Sequence, residues 1–287
     1  MQALWMLLAA LLFATMAVCV KFASVYFGSA ELVLYRGLIS MLFMAGVARA
    51  SGVALATPVP GMHLWRNVAG VFALGTWFYA IGALPLATAM TLNYMSSIWI
   101  AAFLVGGSWL LRRGAAPGGL VLTVLAGFAG VVMVLRPTLE QNQLFAGVMG
   151  LLSGVATALA YLQVAALARA GEPEARTVFY FGVGSTAGGA VALLFTGLSP
   201  WSWQGAAWLL PMGVLASLGQ LCMTRAYSRG STLLVANLQY AGIVFASLYS
   251  LLLFGDTIPL LGWCGMALIV ASGIAATLLR ASTAKSG

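Results

Sequence analysis

The chain has 287 residues, 62% of them hydrophobic and 6% charged, with a net charge of +8 and a mean hydropathy of +1.03. A soluble domain carries roughly 25% charged residues, so this composition excludes a water-facing globular surface and points to lipid as the solvent. In lipid the backbone must satisfy its own polar groups, which leaves helices or closed barrels. Barrel strands would alternate polar and apolar over about ten residues, whereas the apolar runs here are continuous and long enough for helices to cross the hydrocarbon.

Taken in chain order, apolar runs broken by Pro, Gly or charge predict ten spans: 3–25, 30–49, 64–83, 86–111, 118–135, 143–169, 175–197, 205–228, 232–254 and 258–280. The first lacks a preceding Lys or Arg and is too long for a signal-peptide core, so it is read as a helix. Short connections make neighbours antiparallel.

Basic residues alternate between the two sets of loops. One set, with the tail, holds Arg49, Arg66, Arg112, Arg113, Arg169, Arg176, Arg225, Arg229, Arg280 and Lys285. The other holds only Arg136, with Trp201 and Trp203 marking an interface. This asymmetry predicts that both termini are cytoplasmic in a bacterial-type inner membrane. It makes the positive charge a topology signal rather than a nucleic-acid footprint.

The halves 1–138 and 139–287 resemble each other. Leu34-Tyr35-Arg36-Gly37 aligns with Phe179-Tyr180-Phe181-Gly182, Asn93-Tyr94 with Gln239-Tyr240, Ala80 with Ala226, and Gly127 with Gly273. Each half holds five predicted spans, an odd number, so the second is inverted relative to the first. The expected fold is an all-α integral membrane protein of ten helices in two inverted five-helix repeats. Such repeats build carriers with a midplane site between the halves.

The chain resembles the drug/metabolite transporter superfamily, in its EamA branch. The resemblance rests on Lys21 late in the first span, Tyr35-Arg36 in the second, Leu92-Asn93-Tyr94-Met95-Ser96-Ser97 in the fourth and Phe254-Gly255-Asp256 after the ninth. Phe13-Ala14 stand where the family has Trp-Gly, and the family's Ser-Pro in the fourth span lacks its Pro here. The resemblance implies export of small metabolites through a cavity lined by spans 1, 3, 4, 6, 8 and 9, with spans 5 and 10 peripheral. Some relatives export amino acids, and the YddG-type exporters handle aromatic ones.

Polar and aromatic residues inside spans are the candidates for a site, because lipid penalises unsatisfied polar groups. They are Trp77, Tyr79, Asn93, Tyr94, Ser97, Tyr161, Gln163, Gln220, Asn237 and Tyr240, with Tyr227 and Gln239 beside them. Asn93 and Ser97 are one turn apart and share a predicted face. Each residue taken singly is expected to be interhelical glue, but the cluster is read as a cavity. Lys21, Glu31 and Arg36 form a candidate external patch or gate that draws a carboxylate. The favoured competing reading pairs Glu31 with one base while the other snorkels to the interface.

The single histidine, His63, falls in a predicted loop, and no acid falls mid-span. Neither a catalytic nucleophile with its base nor a metal site can then be assembled, so the chain is expected to be no enzyme and to need no cofactor or metal. Cys19, Cys222 and Cys264 are read as small buried hydrophobes. The missing mid-span acid also argues against cationic substrates and for uncoupled transport or exchange rather than proton antiport. The leading substrate is an amino acid, aromatic ones included; nucleotide-type metabolites, drug-like cations and a solute channel are the alternatives. The expected partners are the bilayer and the solute, with no oligomer required.

Overall fold

The computed structural model describes residues 2–100, 102–103, 119, 122–123, 125–127, 129–130, 132–133, 143–229 and 238–283. All regular structure among them is helical. Nine helices are used below: α1 Gln2–Ala23, α2 Ser29–Ala50, α3 Pro60–Ala83, α4 Leu86–Tyr94, α5 Leu144–Arg169, α6 Glu174–Thr196, α7 Leu209–Arg229, α8 Ala241–Leu253 and α9 Leu260–Thr283.

Local chemistry explains their ends. Gly52 and Gly171 take left-handed φ of 67° and 81° just past α2 and α5. Each is followed by the same pair of closing bonds, Val53 N–H to Ala48 O at 2.9 Å and Glu172 N–H to Leu167 O at 3.1 Å. A glycine tolerates that backbone without a Cβ clash, and the bonds satisfy the last free carbonyls. Pro60 opens α3, where its missing N–H costs nothing. Lys21 donates to Ile81 O at 3.2 Å and to Leu84 O, so a cation closes the C-terminal end of α3.

Five described segments are long and apolar enough to cross a membrane: Leu4–Ala23, Ser29–Ala50, Leu144–Arg169, Glu174–Thr196 and Trp203–Ser228. Large apolar side chains face outward on them and their neighbours, among them Leu194, Phe195 and Leu252 at 81%, 86% and 78% exposed. Such a surface needs lipid over it. The fifth predicted span and the end of the fourth lie largely outside the described residues, as do Arg112, Arg113, Arg136 and Lys285. The fourth span is not one continuous helix, because a turn at Met95 separates α4 from residues 96–100. The third begins earlier than expected. Both His63 and Arg66 belong to α3 and are buried, at 2% exposed each, so neither is a loop residue.

Three helix pairs dominate the packing: α2 on α6, α3 on α5, and α1 on α7. The first is a backbone-to-backbone contact. A Cβ on Gly37 would stand 2.5 Å from Thr186 N, one on Gly182 2.7 Å from Met41 N, and one on Gly189 2.6 Å from Leu34 N. Small residues allow this approach, and the gain is dispersion over the whole crossing. Gly184 and Gly188 do the same toward Asn67 and Val71 of α3. These glycines act in packing.

The bundle has two ends. At one, Arg225 lies over Trp5 at 4.9 Å; at the other, Trp201 packs on Phe27 and Tyr35. They are called the Trp5 end and the Trp201 end.

Candidate functional site

Between the ends, α1 to α7 converge on a central pocket lined by Phe13, Arg36, Arg66, Gly70, Trp77, Asn93, Tyr94, Thr157, Tyr161, Phe181 and Gln220, with a cavity of about 50 Å³. Ligand pockets run from about 300 Å³ upward, so this is a constricted arrangement. Wider hollows of about 660 and 430 Å³ open at the Trp5 and Trp201 ends.

Asn93 closes one wall. Its amide donates to Ser153 Oγ at 3.1 Å and Thr157 Oγ1 at 3.0 Å on α5. That reach depends on Gly154, where a Cβ would meet Leu92 O at 2.6 Å. Tyr94 is buried and packs its ring over Gly242 of α8. Tyr161 packs against Tyr227 with centroids 5.7 Å apart. The Trp77 indole N–H has no partner among the described residues.

Two guanidinium groups dominate the opposite wall. Arg36 and Arg66 lie over the ring of Phe181, at 4.8 and 3.8 Å from its centroid. Cation–π attraction holds each in place. Arg66 runs across Gly70, where a Cβ would stand 1.9 Å from its Nη1. Among the described residues the lining contains no carboxylate.

Of the predicted site residues, the structure brings Trp77, Asn93, Tyr94, Tyr161 and Gln220 together at the pocket. Tyr79 does not join them: two residues beyond Trp77, it turns away from the pocket, 41% exposed, edge-on to Phe145. Gln163 misses it for the same reason of helical phase, two residues past Tyr161. Ser97 lies beyond the Met95 turn, which breaks the face it was expected to share with Asn93. Tyr240 lines a lateral apolar groove with Leu248 and Trp263. Gln239 is glue, donating to Ser96 at 3.4 Å and accepting from Tyr227 at 3.4 Å. Asn237 lies outside the described residues.

The external patch is also redistributed. Lys21 closes α3, as described above. Glu31 accepts from Gly28 N–H at 2.8 Å and from Ser199 N–H and Oγ at 3.1 and 2.6 Å. Among the described residues it pairs with no base. Arg36 neither snorkels nor gates at the surface: it is 1% exposed and points into the pocket. Cys264 is exposed rather than buried, unlike Cys19 and Cys222.

Phe13, Arg66, Thr157 and Phe181 were missed. Arg66 had been assigned to a loop because a charge normally ends a span. The repeat alignment did carry a signal for Phe181, since it placed Arg36 opposite that residue, and the two touch.

At the Trp5 end a separate cluster joins the segment after α2 to the start of α6. Glu172 accepts from Thr57 at 2.9 Å, His63 at 3.1 Å and Arg176 at 3.2 Å. Arg176 also donates to Ala54 O at 2.8 Å, and Tyr180 to Leu55 O at 3.0 Å. Burial pushes the Glu172 carboxyl up, but the hydrogen bonds from Thr57 and His63 and the charge of Arg176 outweigh it. The group is held below its ordinary range.

A bundle of apolar-faced helices around a buried polar and aromatic pocket defines a helical, multi-pass membrane protein. The comparisons make it a transporter. The pseudopaline exporter CntI of Pseudomonas aeruginosa is 33% identical over 269 residues, covering 93% of this chain and 93% of that protein. An uncharacterized transporter of Helicobacter pylori is 29% identical over 278 residues, covering 93% and 91%. A riboflavin transporter of Vibrio cholerae is 27% identical over 284 residues, covering 94% and 90%. A solved crystal structure shares the fold, with a TM-score of 0.66 at 22% identity over 97% of this chain and 96% of that one. No protein-family model matches the chain. The chain belongs to the family of membrane transporters that includes the pseudopaline exporter.

Proposed function

We propose that this chain exports a small organic metabolite by alternating access through the central pocket, with hollows at the two ends opening in turn. The observation that carries the reading is the pocket itself: buried hydrogen-bonding and aromatic groups from seven helices, with a hollow on either side. Export as the direction comes from the relative named for it.

The drug/metabolite transporter assignment, ten spans and two inverted halves belong to the same proposal. Packing supports the two-fold repeat. Exchanging the halves would turn the α1–α7 pair into the α5–α3 pair, and these are two of the three main contacts. It would also exchange Gly37 facing Thr186 with Gly182 facing Met41, each glycine meeting a backbone N four residues past its counterpart. Amino acids, aromatic ones among them, remain the leading substrates, because Trp77, Tyr94 and Tyr161 line the pocket with rings that can meet a planar group. The riboflavin named for one relative is a second planar candidate. Metabolites of other classes, and a channel, are the alternatives. With no acid among the described residues of the pocket lining, uncoupled transport or exchange stays the proposed energetics.

Flux of labelled amino acids and riboflavin into proteoliposomes tests the proposal. It expects saturable uptake that is accelerated by solute on the opposite side and lowered in Trp77→Ala and Asn93→Ala. Linear, non-competing flux would mean a channel; no flux of any solute would remove the transport reading.

A further inference from the structure

The arginine pair in the pocket is the feature that the transport reading leaves unused. Arg36 and Arg66 are 1% and 2% exposed, yet Nε and Nη1 of each have no hydrogen-bond partner among the described residues. Guanidinium stays protonated in proteins, so two like charges stand against one phenyl ring with no acid among the described residues to balance them. Unpaired charge in a buried, low-dielectric place is strongly unfavourable.

The acids among the described residues are engaged elsewhere. The sequence holds five. Glu31 is bound to Gly28 and Ser199, Glu172 to Thr57, His63 and Arg176, Glu174 to Ser228 and Arg225, and Asp256 to Ser250. Glu140 lies outside the described residues. The two cations are also seated in the pocket. Each is anchored over Phe181, and Arg66 fills the gap that Gly70 leaves open.

We propose that the pocket selects a dianionic organic solute, whose two negative charges are met by the guanidinium forks of Arg36 and Arg66 while an apolar or aromatic portion lies against Trp77 and Tyr161. This rests on the transport reading and moves the substrate class from zwitterionic amino acids and riboflavin to dianions. A guanidinium presents parallel N–H donors that match a carboxylate or phosphate in two-point contact. The same two groups repel an ammonium or other cation. Dicarboxylates and phosphate monoesters share the required charge, and the test separates them.

The test uses purified full-length protein and four aromatic probes: phenylsuccinate, its monomethyl ester, its dimethyl ester and phenyl phosphate. Thermal shift and competition binding are read for wild type, Arg36→Gln and Arg66→Gln. Phenylsuccinate or phenyl phosphate should bind wild type at least about tenfold tighter than the dimethyl ester, and each variant should lose about tenfold. Preference for phenylsuccinate would assign two separate carboxylates; preference for phenyl phosphate would assign one doubly charged head group. Both support the dianion. Equal binding of diacid and diester would overturn the proposal, as would variants that keep full affinity or equal stabilisation by chloride alone.

Ligand-free stability gives a second readout. Removing an unbalanced buried charge should leave the melting temperature of Arg36→Gln equal to or above wild type. A fall, or a variant that does not fold, would mark the arginines as structural and overturn the proposal. If the protein carries a neutral solute in proteoliposomes and both variants carry it unchanged, transport stands and the anion assignment alone fails.

Discussion

Two charged clusters in this molecule are built on opposite terms. At the Trp5 end, Glu172 is met by Thr57, His63 and Arg176, and the cluster ties the segment after α2 to the start of α6. In the central pocket, Arg36 and Arg66 are as deeply buried but have no acid among the described residues. A satisfied buried network rigidifies a fold. An unsatisfied one is kept only where something else repays its cost. The first cluster therefore ties the loop after α2 to α3 and α6, and the second is where we propose that the solute binds.

The comparison breaks most visibly at the contact that supports both clusters. Gly182→Leu places a side chain where even a Cβ would lie 2.7 Å from Met41 N. Overpacking costs about 1–3 kcal/mol when side chains can yield, and here backbone must move. The expected result is loss of the monodisperse peak in size-exclusion chromatography, whereas Gly46→Leu, with nothing within 4 Å of its Cβ, keeps it.

The satisfied cluster comes next. Glu172→Gln should lower stability by about 1–3 kcal/mol, since it removes the charged partner of Arg176. The carboxyl titrates below its ordinary range in the folded protein, so its contribution is complete above the ordinary glutamate range and is lost as pH falls through the lowered value. Melting temperature against pH should therefore decline on the acid side in wild type and more shallowly in Glu172→Gln. A smaller effect, about 1 kcal/mol, is expected for Glu31→Gln, whose partners are neutral donors and whose amide oxygen still accepts.

The smallest effect sharpens the pocket's outline. Tyr79→Ala should change stability by no more than about 0.5 kcal/mol and leave solute affinity at the central pocket unchanged, because the side chain is 41% exposed and points away from that pocket.

The medium and most helix positions were legible in the sequence, because run length and composition report directly on lipid. The pocket was half legible. Trp77, Asn93, Tyr94, Tyr161 and Gln220 stood out as polar or aromatic positions in apolar runs, and all five converge. Tyr79 and Gln163 stood out equally and face elsewhere, since residue type carries no information on helical phase until the neighbours are known. Ser97 was lost to the Met95 turn, which nothing in the fourth span announces. Arg66 was missed for a physical reason. The rule that sends arginine to loops assumes that lipid surrounds the helix, whereas here Phe181 and the gap at Gly70 make room for a guanidinium inside.

The central claim is that the pocket is reached from both membrane faces in turn. Thr157 lines it, and Leu252 lies on the outer surface, 78% exposed. In a background with Cys19, Cys222 and Cys264 replaced, Thr157→Cys and Leu252→Cys are to be labelled with a membrane-impermeant thiol reagent applied to one face at a time. Alternating access predicts that Thr157→Cys reacts from either face and that Leu252→Cys, covered by lipid, reacts from neither. A pocket cysteine that no reagent reaches from one of the faces would contradict it.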